Sequence, residues 1–244
     1  MQKHIVIMNG SGGVGKDSFC NYCSVYANTE TISIVDKVKN VAYVAGWNGE
    51  KDEASRKLLS DIKLAMEAYN NSPLNYVLDK CADFMVAKDK KDVEILFVML
   101  REKKDIDAIK EHFDNVFTIL IKSNRVKQIS SNVADANVDR IDYDIVIHND
   151  FEKINLVYTA RNMVNILRQI TYKDDNFKKK LLHEKFIDYG SKESKILIAT
   201  PKSIQEAMIT QNKKQEVAKE EIFESVARIE DSLENLRKLL KNKF

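Results

Sequence analysis

Apolar residues along this chain fall into short unbroken runs, separated by longer stretches in which they recur every three or four places. The run His4-Ile5-Val6-Ile7-Met8 is short and β-branched and predicts a buried strand. Residues 31–35 predict a second strand, 93–100 the third and most hydrophobic, 116–121 a fourth and 143–147 a fifth. Helical periodicity fills the intervals. Residues 16–28 predict one helix, and Asp36 would cap another that carries Val38, Val41, Ala42 and Ala45 and stops at Gly46. Between residues 53 and 70, Leu58, Leu59, Ile62, Ala65, Met66 and Tyr69 recur at helical spacing, and Ser72-Pro73 breaks the run before a helix over 74–87. Residues 105–113 and 152–170 predict two more, while 123–142 are polar without a clean period. Strands alternating with helices imply a parallel, doubly wound sheet with right-handed crossovers.

After about residue 171 the pattern changes. Residues 173–244 carry 16 basic and 13 acidic side chains, and residues 195–200 predict an isolated strand stopped by Pro201. Ile222, Val226, Ile229, Leu233, Leu236 and Leu240 then follow the spacing of an a/d seam, within a helix placed at about 203–243. Such a helix either docks on its own domain or self-associates, which would give a homo-oligomer through residues 222–240. The expected organisation is an α/β domain over 1–172 and a charged extension over 173–244.

Composition narrows the class. With 44% apolar and 31% charged residues, the 244-residue chain can build a core and is not generally disordered. Lys plus Arg is 39 against 37 for Asp plus Glu, a net charge of +2 that makes nucleic acid or a membrane surface unlikely partners. No apolar run reaches the roughly 18 residues of a membrane span, and three cysteines fit reduced thiols, so the expected location is cytoplasmic. Glycine is the informative residue. Four of the seven, Gly10, Gly12, Gly13 and Gly15, lie within six positions, and none occurs between Gly49 and Gly190.

Gly10-Ser11-Gly12-Gly13-Val14-Gly15-Lys16 satisfies G-x-x-x-x-G-K directly after a predicted strand and before a predicted helix. Backbone N–H groups of such a loop point inward at phosphate oxygens, the helix presents its positive end to the anion, and Lys16 adds a movable charge for the β- and γ-phosphates. Where Ser or Thr would follow the lysine to hold Mg²⁺ there is Asp17, and the hydroxyl comes one place later, at Ser18. Asp17 has two readings: a hard oxygen ligand for Mg²⁺, directly or through water, or an acid that only favours the helix dipole.

The G-x-x-x-x-G-K-D-[ST] variant resembles the P-loop of phage and bacterial deoxynucleoside monophosphate kinases, and also that of animal-type phosphomevalonate kinases. Val38-Lys39-Asn40-Val41-Ala42, running to Gly46-Trp47, is similar to the helix after the second strand in that group, and residues 53–61 to its substrate-side helix. The resemblance covers about residues 3–170. It implies a three-layer P-loop NTPase with a five-stranded parallel sheet, extended at the C-terminus by a helical segment. It implies ATP and Mg²⁺ as cofactors, with Gly10 to Ser18 holding the donor phosphates and Asp36, Lys39 and Arg56 facing an acceptor monophosphate. Arg101, at the C-terminal end of the central strand, would approach the transferring group, and Arg125, with Arg140 as a weaker candidate, would belong to a mobile lid. The chain departs from the group at Met99, where an acidic residue often stands two places before the arginine, and in the sparse charge of the lid segment.

Other candidates take structural readings more readily. Cys20 and Cys23 have C-x-x-C spacing but lie inside a helix without a second pair; His148 follows a core strand; Lys178-Lys179-Lys180 is expected to be a solvated run. Trp47 either stacks on a base or packs beneath the substrate helices, and Arg56 either binds substrate or pairs with Glu53 or Ser60. The expected function is ATP-dependent transfer of the γ-phosphoryl group to a (deoxy)nucleoside monophosphate. The alternatives are a catalytically weak ATP-binding module whose C-terminal helix recruits a partner, and a kinase acting on another phosphorylated metabolite.

Overall fold

A computed structural model describes residues 2–50, 52–86, 92–126, 141–150, 153–170 and 174–186. The chain divides into two compact units, Met1–Ile196 and Leu197–Phe244, and all described elements lie in the first. The expected strand at 195–200, the heptad helix at about 203–243 and Arg140 fall outside the described residues.

Five parallel strands, β1 (His4–Asn9), β2 (Thr29–Ser33), β3 (Ile95–Met99), β4 (Val116–Lys122) and β5 (Ile145–His148), form one sheet in the order β2-β3-β1-β4-β5. β1 is central and buried along its whole length, which explains its continuous apolar run. Its alternate side chains feed two cores. Val6 and Met8 join α1 (Lys16–Cys23) and α6 (Lys153–Leu167) on one face. Ile5 and Ile7 join α4 (Ser72–Val86) and α5 (Lys103–His112) on the other. The result is the expected three-layer α/β architecture.

Helix α2 (Asp36–Val44) and α3 (Glu53–Asn70) pack on each other and on α4, at the C-terminal end of β2. The predicted apolar stripe of α3 is only half-covered: Leu58, Leu59, Ile62 and Met66 are partly buried, and Tyr69 is exposed. The stripe faces neighbouring helices rather than the sheet, so the periodicity marks a packing edge, not a core face. The helix ends at Asn71, whose φ of 53° forms the left-handed turn before Pro73.

Some boundaries moved. The first helix closes at Cys23 instead of continuing to 28, because Val25 and Tyr26 N–H groups turn back to the carbonyls three residues earlier. Asp36 does not cap α2, whose N-cap is Val35; its Oδ2 instead accepts the Ser33 N–H at 2.7 Å, closing the turn out of β2. Beyond residue 172 a further helix, α7 (Asp175–Lys185), places Leu181 in the α1–α6 core. Lys178 is not solvated: its Nζ lies 2.6 Å from Asp144 Oδ1, and Asp144 Oδ2 accepts both the N–H and the hydroxyl of Thr118 on β4. Among the described residues no helix is long and apolar enough to cross a membrane.

Leu181 is the apolar anchor of α7. Leu181→Ala in the full chain is expected to lower unfolding free energy by about 2–3 kcal/mol, read by urea denaturation. An unchanged midpoint would mean that α7 contributes nothing to the core.

Candidate functional site

Where β1 ends, the chain enters the loop Gly10–Gly15, and α1 begins at Lys16. Two glycines are imposed by close approach as well as by backbone. At Gly10 φ is 135°, and a Cβ there would stand 2.4 Å from the Ile121 carbonyl oxygen. At Gly15 φ is 102°, and a Cβ would stand 2.5 Å from Asn149 Nδ2. The loop is thus wedged between the ends of β4 and β5. Lys16 folds over it, Nζ donating to Gly10 O at 2.6 Å and Ser11 O at 2.8 Å. Val14 is buried and fixes the far side of the loop, whereas Asp17 and Ser18 lie exposed on the first turn of α1. Asp17 therefore occupies the end of the helix where the dipole favours a carboxylate, with its side chain open to solvent.

Two asparagines hold this loop, and the sequence reading singled out neither. Asn9, fully buried, accepts the Gly10 N–H at 2.7 Å and donates through Nδ2 to Tyr143 Oη at 2.7 Å and to Arg101 O at 3.2 Å. It joins the Gly10–Gly15 loop to the end of β3 and to the segment that returns into β5. A polar residue closing an otherwise apolar strand was the available signal. Asn149, the first residue after β5, donates through Nδ2 to Val14 O at 2.9 Å.

The other predicted residues distribute along the C-terminal edge of the sheet, where open α/β sheets bind ligands. Arg101 lies two residues past β3 on that edge. Met99 packs against the α1-side core, so the place that would carry an acid is apolar in contact as well as in identity. Asp36 and Lys39 lie together at the start of α2, Nζ 3.6 Å from Oδ1. Arg56 is exposed on α3 near Asp52, which caps that helix by accepting the Ser55 N–H at 2.7 Å. Hydrogen bonds from Ser55 hold the Asp52 carboxyl below its ordinary range, with a smaller contribution from Arg56. Arg125 is exposed, and its guanidinium donates to Asn149 O and Oδ1. Trp47 packs against Tyr43, ring centroids 4.8 Å apart, and its buried Nε1 has no hydrogen-bond partner among the described residues. Cys20 and Cys23 are free and buried, and burial raises both thiols, which leaves them unreactive.

A charge network ties α3 to the start of α5, beside Arg101. Lys63 Nζ bridges Glu67 Oε1, at 2.8 Å, and Glu102 Oε1, while Lys104 Nζ reaches Glu67 Oε2 at 3.0 Å and Glu102 Oε2 at 3.1 Å. Asp105 completes a group of three carboxylates lying within 4.8 Å of one another. The two ammonium groups supply the positive charge a cation would otherwise bring, and Asp105 is the odd acid. It is 1% exposed, and neither of its oxygens has a hydrogen-bond partner among the described residues. Burial, reinforced by the Glu102 carboxylate, raises its pKa to about 6. Glu102 is also pushed up by burial, but the Lys63 and Lys104 ammonium groups outweigh this and leave it below its ordinary value.

No family model matches the chain, and no curated protein matches it. Among solved structures it is similar to a sugar kinase from Janibacter sp. HTCC2649, at 14% identity and a TM-score of 0.43, over 68% of this chain and 95% of that one. It is also similar to a gluconokinase from Sinorhizobium meliloti 1021, at 11% identity and a TM-score of 0.40, over 68% of this chain and 94% of that one. Likeness at this level says nothing of acceptor or activity.

Because the Asp105 carboxyl holds its proton more tightly folded than unfolded, its own contribution to stability falls as pH climbs from about 4 to about 6 and then levels. Asp105→Asn has no proton to lose. Its urea midpoint is expected to gain on the wild type across that window and to keep the gain at higher pH. A difference constant from pH 4 to pH 8 would show that the carboxyl titrates normally.

Proposed function

We propose that this chain is a P-loop phosphotransferase, binding Mg·ATP in the loop from Gly10 to Ser18 and transferring its γ-phosphoryl group to a (deoxy)nucleoside monophosphate. The observation that carries this reading is the loop itself: two positions that exclude any side chain, followed by a lysine over the loop and a helix N-terminus. These residues fit a polyphosphate. When bound, ATP would supply the activated phosphoryl group and Mg²⁺ would supply positive charge against its phosphates.

The chain's own part is positioning and charge. Lys16 has three N–H donors, two of which meet Gly10 and Ser11 carbonyls, and a small swing of its flexible stem would turn it toward phosphate oxygens. Arg101, from the end of β3, would pair with the transferring group through its planar fork. Asp36 and Lys39 at the start of α2, with Arg56 on α3, would receive the acceptor monophosphate. An acceptor phosphate oxygen would attack the γ-phosphorus in line as the bond to the β–γ bridging oxygen breaks, and ADP would leave. Asp17 and Ser18 would hold Mg²⁺.

Met99 favours a second reading. With an apolar side chain packed into the core at the place of the kinase group's acid, the loop could bind ATP with slight turnover. The region beyond residue 196 would then recruit a partner or a second copy through residues 222–240.

Coupled ADP-release assays with each deoxynucleoside monophosphate, and with other phosphorylated metabolites, separate the readings. Acceptor-stimulated turnover that drops at least about 100-fold in Lys16→Ala is expected for the kinase. ATP binding without stimulation by any acceptor would favour the module. Asp17→Asn is expected to raise the Mg²⁺ concentration needed for half-maximal activity while leaving the thermal midpoint nearly unchanged. An unchanged Mg²⁺ titration would leave Asp17 with the dipole role alone.

A further inference from the structure

We propose that Asn149 and Arg125 form a positioning pair: Arg125 fixes the Asn149 carboxamide, and Asn149 turns the Val14–Gly15 peptide so that the Gly15 N–H faces a bound phosphate. The inference rests on the polyphosphate part of the reading above and is independent of the acceptor. It changes the role of Arg125 from a lid arginine touching nucleotide to a residue acting through another.

The Asn149 backbone is anchored by its N–H, which donates to Lys122 O at 2.8 Å, and by its carbonyl, which accepts Ser123 Oγ at 2.8 Å. That same carbonyl accepts Arg125 Nε at 3.1 Å and Nη2 at 2.7 Å. The side chain is held at both ends. Oδ1 accepts Arg125 Nη2 at 3.0 Å, and Nδ2 donates to Val14 O at 2.9 Å. A guanidinium only donates and a carbonyl only accepts, so one orientation of the carboxamide satisfies both, and rotating it would break both bonds.

The consequence for the loop follows from the planarity of the peptide. In a trans unit the C=O and N–H point in opposite directions. With Val14 O drawn to Asn149, the Gly15 N–H points away from it, toward the inside of the loop. The close approach of Asn149 also accounts for Gly15, where a Cβ would stand 2.5 Å from Nδ2. Without the carboxamide, the Val14–Gly15 peptide would be free to rotate, glycine being permissive, and would lose one preset donor for the anion. Arg125 Nε and Nη2 are turned to Asn149.

Calorimetry with Mg·ATP on the full chain tests the pair through a double-mutant cycle. Asn149→Ala is expected to weaken binding about 10-fold, as for one lost hydrogen bond, and Arg125→Ala by a smaller factor. The double variant is expected to be no worse than Asn149→Ala alone to within about 2-fold. As a second measurement, the Gly15 amide resonance should shift with Mg·ATP in the wild type and much less in Asn149→Ala, with the thermal midpoints of both compared. An Asn149→Ala variant that binds as the wild type does, or a double variant showing the product of the two losses, would overturn the pair. The product would mean that Arg125 touches nucleotide on its own account. No binding by the wild type would remove the polyphosphate reading and this inference with it, whereas binding without any acceptor turnover would leave the inference standing.

Discussion

Backbone placement of the Gly10–Gly15 loop is the constraint on which the rest of this molecule depends. The loop must pass between the Ile121 carbonyl and the Asn149 carboxamide, with room for no side chain at either contact. That passage exists only because β4 and β5 lie parallel to β1 on one side, in a register that brings Asn9 level with Leu120. A sheet built in another order would leave the same glycines as an ordinary flexible turn.

Polar side chains at the strand ends convert that passage into a fixed shape. Asn9 and Asn149 each present a donor and an acceptor to different segments, so that β1, the end of β3, the return into β5 and the loop are tied by hydrogen bonds at fixed angles. The apolar core supplies most of the stability but little of this precision, since burial is non-directional. On the acceptor side the balance differs. Helices α2 and α3 lean on α4 with a half-covered apolar stripe, and the tie between α3 and the end of β3 is the charge network around Lys63. An element held by charge and an incomplete apolar face moves more readily than one seated in the core. The three residues proposed to meet an acceptor, Asp36, Lys39 and Arg56, lie on those helices.

Strands, their parallel arrangement and the glycine loop after β1 were legible in the sequence, since buried strands are largely apolar and the loop's glycines answer to backbone sterics over six adjacent positions. The sequence also located Lys16, Arg101, Asp36 and Lys39 at element ends, because alternation of strand and helix places such residues on one edge. Tertiary packing decided the strand order, the pairing of Lys178 with Asp144, the turn of Asp36 toward Ser33 and the burial of Asp105 without a hydrogen-bond partner among the described residues. Asn149 and Arg125 belong there too: Asn149 meets Val14 from more than a hundred residues away, and Arg125 meets Asn149. Periodicity records which face of an element is buried, whereas a hydrogen bond between distant segments depends on where the sheet sets them side by side.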